Sequence, residues 1–225
     1  VQNSEEYLQQ AVAQIGGMEK GVVRIGTFNS ACVEWMPSLL RGFEKDYPNI
    51  RIDIYQGSYD DVYQWLKDGI VDLGFLSSTS AGDLSCTPIY QDKIICVAPQ
   101  GFKTENEGYI TIEELKKQRF VTQREGCDAD VNHVMNKYDL PGGGGSYIAD
   151  DMSAVSLVMG GFGVCLMPEL VIRNIPFPVD VIPLEVEEKR TIVLAYVRSD
   201  VLAPAVQKMQ SYILESFQKK AEEEQ

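Results

Sequence analysis

The stretch that decides the fold is residues 21–76, GVVRIGTFNSACVEWMPSLLRGFEKDYPNIRIDIYQGSYDDVYQWLKDGIVDLGFL. It opens on Val22-Val23-Arg24-Ile25-Gly26, which reads as a strand. Met36, Leu39, Leu40 and Phe43 then recur at helical spacing to about Asp46, with Pro37 early in the helix where a missing N–H costs least. Ile50, Ile52 and Ile54 alternate with Arg51, Asp53 and Tyr55, the period of a strand. Ser58 and Asp61 form a capping pair for a helix carrying Val62, Trp65 and Leu66, which Gly69 stops. Val71 to Leu76 is the next strand. Strand, helix, strand, helix, strand predicts a mostly parallel sheet and an α/β class.

Downstream the alternation resumes. A longer strand runs from Ile89 to Pro99, and Thr111 with Glu114 caps a short helix. Phe120 to Thr122, Tyr147 to Ala149, Val164 to Met167, Val181 to Leu184 and Thr191 to Val197 read as strands. Asp128 to Tyr138 and Met152 to Gly160 read as helices, with Asp150 and Asp151 capping the second. The chain ends in an amphipathic helix with Val206, Met209, Ile213 and Phe217 on one face. Two βα series joined by crossings near 97–100 and 185–190 predict two Rossmann-like lobes with a two-strand hinge and a ligand cleft between them. Lobe I takes 20–98 and 190–225, and lobe II takes 99–189. Residues 1–17 read as the end of a longer helix, with Leu8, Val12 and Ile15 on one face and Gly16-Gly17 as its stop. A chain that starts inside a helix reads as a truncation.

Charge narrows the function. Thirty-three acidic against 20 basic residues give −13, and phosphate backbones repel such a chain. The nearest basic clusters are Lys116-Lys117-Arg119 and Lys219-Lys220, and Glu222 to Glu224 offset the second. Five scattered cysteines without a CxxC pair, beside a single histidine, support neither a zinc site nor a catalytic Cys/His pair, so no metal and no cofactor is expected. Free thiols suit a reducing cytoplasm, and no apolar run is long enough to span a bilayer. Gly142 to Gly145 is not followed by the Lys-Ser/Thr of a phosphate loop. A regulatory disulfide would need two of Cys32, Cys86, Cys96, Cys127 and Cys165 placed to bridge, which nothing in their spacing indicates.

Ligands of doubly wound sheets gather beyond the carboxyl ends of strands, where helix amino termini present free N–H groups. Thr27, Asn29 and Ser30 follow the first strand, Ser58 and Tyr59 the second, and Ser77 the third. Gln123 and Arg124 follow the strand ending at Thr122. Hydroxyls and backbone donors there suit an anionic ligand, and Arg124 adds a guanidinium that grips carboxylates in bidentate fashion. Phe162 and Val164, after a Gly-rich turn, read as an apolar wall. Each has a plainer role: Ser30 and Ser58 as helix caps, Arg124 as a surface partner of Glu125 or Asp128, and Phe162 and Val164 as core.

Four landmarks in order resemble LysR-type effector-binding domains: residues 21–26 (GVVRIG) with 36–40 (MPSLL) and 43–48 (FEKDYP), then Gln56-Gly57, then 68–74 (DGIVDLG), then 160–168 (GGFGVCLMP). The resemblance runs from about Gly21 to Arg198 and places residues 4–15 at the family's linker helix. It implies a type 2 periplasmic-binding-protein fold and a small-molecule effector held between the lobes. It further implies pairing through this domain as a homodimer, a tetramer for the full-length protein, and DNA contact only through a separate N-terminal winged helix-turn-helix. Family members often place Ser or Thr near Asn29 and Ser30. At Tyr59 the sequence departs from the small hydroxyl residue usual there, and a phenol would reshape or narrow the pocket. The alternative is a solute-binding protein of an importer, which the linker-like helix and the odd number of cysteines disfavour. An enzyme on this fold lacks a catalytic constellation.

Overall fold

The computed structural model describes residues 20–123, 128–142, 148–173, 176–197 and 202–223. The chain divides into two compact units, one holding the residues up to 90 and from 191 onward, the other holding 91–190.

In the first unit, β1 (Gly21–Thr27) pairs in parallel with β2 (Ile50–Gln56) over seven residues and with β3 (Leu73–Ser77) over two. Helix α1 (Asn29–Asp46) links the first pair, and α2 (Tyr59–Lys67) links β2 to β3. The expected third strand starts two residues late. The N–H groups of Ile70 and Val71 donate to the Trp65 carbonyl and finish the α2 turn, so they are not available to a ladder. Gly69 adopts φ +69°, the left-handed stop anticipated for that helix. The carboxyl-terminal helix α7 (Pro204–Glu223) buries Met209, Ile213 and Phe217, as its apolar stripe required. Trp35 of α1 anchors the helical layer, meeting Phe217 edge-on at 4.8 Å and Phe75 at 5.8 Å. Gly42 lets α1 approach α7, since a Cβ there would sit 2.0 Å from the Tyr212 hydroxyl.

The second unit is built on β4 (Ser85–Pro99) and β5 (Cys165–Pro168), which run antiparallel with Ile94 opposite Pro168 and Val97 opposite Cys165. Alternation along β4 feeds two cores. Ile94, Cys96 and Ala98 face one with Ile110, Leu115, Phe120 and Leu166, while Ile95 and Val97 face the other with Val155, Val158 and Cys165. Short helices α3 (Ile112–Lys116), α4 (Ala129–Lys137), α5 (Asp151–Met159) and α6 (Glu169–Ile172) complete this unit.

Two expected strands shrink to single bridges. Among the described residues, Phe120 bridges to Val164 and Gln123 to Ile148. The opposite happens at the return crossing. Residues 181–184 and 191–197, read as separate strands, belong to one strand, β6 (Val179–Tyr196). Its charged middle looked like a connection, yet each charge has a partner. Glu185 accepts from the Ile112 N–H at 2.7 Å, Glu187 pairs with Lys93 and Lys189, and Arg190 pairs with Asp92. The strand order is β2-β1-β3-β6-β4-β5, and β4 and β6 each carry the chain from one unit to the other.

Candidate functional site

In the first unit the expected contact residues collect at the carboxyl ends of three neighbouring strands. Thr27 ends β1 and is fully buried, Ser58 caps α2 after β2, and Ser77 ends β3. The Gly57 N–H donates to the Thr27 carbonyl at 3.0 Å, tying the first two ends together. Ser58 forms the expected capping box with Asp61, its Oγ accepting from the Asp61 N–H while the carboxylate accepts from the Ser58 N–H. Ser30 is not a cap. Phe28 holds that position and makes no side-chain capping bond, while Ser30 is buried in the first turn and Asn29 is exposed. Tyr59 is buried, its ring edge-on to Phe28 at 4.9 Å. The phenol therefore fills space at the ends of β1 and β2 that a small hydroxyl residue would leave open.

The second unit holds a pocket of about 450 Å³, including its open mouth, at the amino ends of α4 and α5. Its apolar wall includes Val121, Val131, Met135 and Met167, and its polar wall includes Gln123, Asp128 and Asp151. Gln123 donates through Nε2 to Asp151 Oδ1 at 2.7 Å. Asp128 caps α4, its Oδ1 accepting from the N–H groups of Asp130 and Val131. Asp150 caps α5 in the same way through the Ser153 N–H. Of the described second-lobe residues expected to touch a ligand, only Gln123 lines this pocket. Val164 is core, 1% exposed and packed with Phe120, and Phe162 stands 52% exposed on the Gly-rich turn. Arg124 lies outside the described residues.

A buried charge cluster supports the pocket from behind. Arg190 donates to Asp92 through Nε and Nη2, and Asp92 also accepts from the Leu170 N–H at 3.0 Å. Arg190 Nη1 lies 3.9 Å from Asp128 Oδ2. Burial lifts the Asp92 carboxyl above its usual range against the pull of Arg190. Burial likewise pushes Asp128 up to about 6; Arg190 opposes the rise, and Asp130 and Asp151 add to it. Sequence reading missed Asp92 and Arg190 entirely. Neither follows a strand end, and 98 residues separate them.

Cys32, Cys86, Cys96 and Cys165 are free thiols. Cys96 is level with Leu166 and Cys165 with Val97, so the two thiols enter different cores on opposite faces of the β4–β5 pair. Burial pushes the Cys96 thiol up to about 12 and raises Cys165 as well. No group of three or more His, Cys, Asp or Glu side chains among these residues is arranged to hold a metal. No helix among them is long and apolar enough to cross a membrane.

The LysR substrate-binding-domain model matches residues 16–218. The chain belongs to that family. Its relatives are transcriptional regulators. The dual regulator GltC of Bacillus subtilis is 23% identical over 95% of this chain and 73% of its own length. The malonate utilization regulator of Klebsiella pneumoniae is 25% identical over 71% of this chain and 54% of its own. An uncharacterized regulator of B. subtilis, YvbU, is 21% identical, and the match spans 62% of its length. The match thus spans between 54% and 73% of the length of these relatives. Among solved structures, the effector-binding domain of QuiR in complex with shikimate superposes with a TM-score of 0.78 at 19% identity, over 89% of this chain and 98% of that one. The Synechocystis CcmR regulatory domain with 2-PG gives 0.79 at 16% identity, over 88% and 98%. The fold is thus the type 2 periplasmic-binding-protein-like fold of LysR effector-binding domains.

Proposed function

We propose that this chain is the effector-sensing part of a LysR-type transcriptional regulator acting in the cytoplasm. It binds a small molecule and passes the resulting shift to an N-terminal helix-turn-helix of the whole protein. The family match over residues 16–218 carries this reading. The proposed contacts are Thr27, Asn29, Ser30, Ser58 and Ser77 in the first unit, and Gln123 and Arg124 in the second. Homodimer pairing through this domain, and a tetramer for the whole regulator, follow the same family reading. The effector can move the regulator only as far as its affinities for the two arrangements differ.

A melting screen against organic acids, amino acids, amines and polyols tests the proposal. A true effector at about 100 times its Kd adds about 2.7 kcal/mol, or roughly 5–10 °C for a chain of this size. Changing Asn29 and Ser30 together to Ala abolishes that shift if these contacts hold it. The same ligand must then alter operator binding by the full-length protein. Chemical turnover of a bound ligand, or binding with no effect on DNA affinity, overturns the reading.

A further inference from the structure

Arg190 sits where several elements of the second unit meet. Its guanidinium gives Nε and Nη2 to Asp92 Oδ2, and Asp92 Oδ1 accepts from the Leu170 N–H. Leu170 belongs to α6, which follows β5 directly, and Leu166, Met167 and Pro168 of β5 line the pocket. The remaining guanidinium nitrogen, Nη1, faces Asp128 Oδ2 at 3.9 Å. Asp128 is both the cap of α4 and part of the pocket wall. That separation is too long for a hydrogen bond, and closing it by about 1 Å makes a charge-assisted one. The guanidinium thus has two arrangements within reach: it holds Asp92 alone, or Asp92 and Asp128 together. Along the chain, β6 continues from Arg190 to Ile192, which stands opposite Ser77 at the carboxyl end of β3. Residues two apart on a strand share a face, and Arg190 and Ile192 are both buried. A change in what Arg190 holds therefore reaches Ile192 through one turn of the pleat.

We propose that Arg190 is a positioning residue that couples the second unit's pocket to the carboxyl end of β3: it moves between the two arrangements, and β6 carries the movement to Ser77. The inference rests on the reading that the domain senses a small molecule, and it names how occupancy of the pocket beside Asp128 reaches a proposed contact of the first unit. A group that enters the pocket and engages Asp128 favours the arrangement in which Arg190 holds Asp92 alone. By linkage, a ligand held at Ser77 biases the Arg190–Asp128 contact by the same free energy. Lysine does not replace arginine here, because a single ammonium lacks the fork of donors that meets two carboxylates at once.

NMR of the 225-residue chain tests it at about pH 7.5, above the Asp128 value of about 6, so that this carboxyl is ionised. Carbon-13-labelled methyl groups of Met135 and Met167 report the pocket, and the backbone amides of Ser77 and Ile192 report the ladder. Asp128→Asn keeps an oxygen for the α4 cap and removes the charge that faces Arg190. It is expected to move the Ser77 and Ile192 signals at least about threefold further than those of the Val23–Ile52 pair in the β1–β2 ladder. Asp150→Asn, the same change at the α5 cap, leaves them in place. In a chain carrying Arg190→Lys, the effect of Asp128→Asn on Ser77 and Ile192 falls to about a third or less. If Arg190→Lys fails to fold, Asp92→Asn with Arg190→Gln, a neutral pair, takes its place. Movement of the Met135 and Met167 signals without any at Ser77 and Ile192 overturns the proposal, as does an effect that survives the loss of Arg190 undiminished. Either result leaves the sensor reading standing, because melting shifts and operator binding test that reading separately.

Discussion

Arg190 holds Asp92 by two donors on one carboxylate oxygen, Nε at 2.9 Å and Nη2 at 2.7 Å, with both side chains at most 3% exposed. The two residues flank the points where the chain passes between its units, at 90/91 and 190/191. Ions buried this completely are tolerated only when each is fully met, and the Leu170 N–H supplies a further partner for Asp92. Arg190→Met leaves a buried carboxylate without its cation and is expected to cost about 3–5 kcal/mol in urea unfolding. The double variant Asp92→Leu with Arg190→Met is expected to cost less than Arg190→Met alone, because the carboxylate that Arg190 holds most closely is removed with it. Equal losses in the two proteins would show that packing, not charge, sets the penalty.

Asp128 makes stability depend on pH with a definite sign. Its folded pKa of about 6 lies above the ordinary carboxylate value, so the folded state binds the proton more tightly. The stabilisation this brings is present below the unfolded pKa and is lost as pH rises through about 6. Asn at 128 keeps an oxygen for the α4 cap without the charge. Asp128→Asn is therefore expected to gain on the wild type between about pH 4 and 7, by roughly 2–3 kcal/mol. Denaturant melts across that range measure the difference, and a gap that does not widen with pH would show that Asp128 is ionised at little cost.

Gly163 has φ +147°, and a Cβ there would lie 2.3 Å from the Arg119 carbonyl oxygen. That oxygen accepts from the Val164 N–H at 2.9 Å, and the Val121 N–H donates back to the Val164 carbonyl at 2.8 Å. The Gly-rich turn thus lets residues 119–121 lie against 164, bringing Val121 to the pocket wall. Gly163→Ala is expected to cost about 2–4 kcal/mol and to shift the Met135 and Met167 methyl signals. Gly101→Ala is the comparison at another left-handed glycine, with no atom within 4 Å of the added Cβ.

Thiol labelling of the native protein should follow exposure. Cys86 is exposed and is expected to react ahead of Cys96 and Cys165, which wait for local opening because burial keeps their thiols protonated. Mass mapping after timed alkylation orders the sites. A fast reaction at Cys165 in the folded protein would contradict the burial of the strand pair.

Local chemistry was legible wherever a structure is made by near neighbours. The Ser58–Asp61 and Thr111–Glu114 capping boxes, the Asp150 cap and the stripe on α7 all depend on residues within a few turns of one another. The Phe28 cap was not legible, because Asn29 and Ser30 supply the usual capping side chains one and two residues later, inside the helix. Strand extents were misjudged in both directions. A ladder's length depends on a distant partner, and the charges in the middle of β6 find theirs on β4 and on the helices of the second unit.

By itself the sequence determined the βα alternation, the caps and, through four motifs in order, the family. These features need only the side-chain periods of helix and strand and the hydrogen-bonding reach of a single turn. The tertiary structure decided that Asp92 and Arg190 meet across 98 residues, that Cys96 and Cys165 face opposite cores, and that Asp128 and Asp151 share one pocket of the second unit. Each of these turns on which distant segments share a face and on how much water is left between them. Chain folding sets that, and spacing along the chain does not.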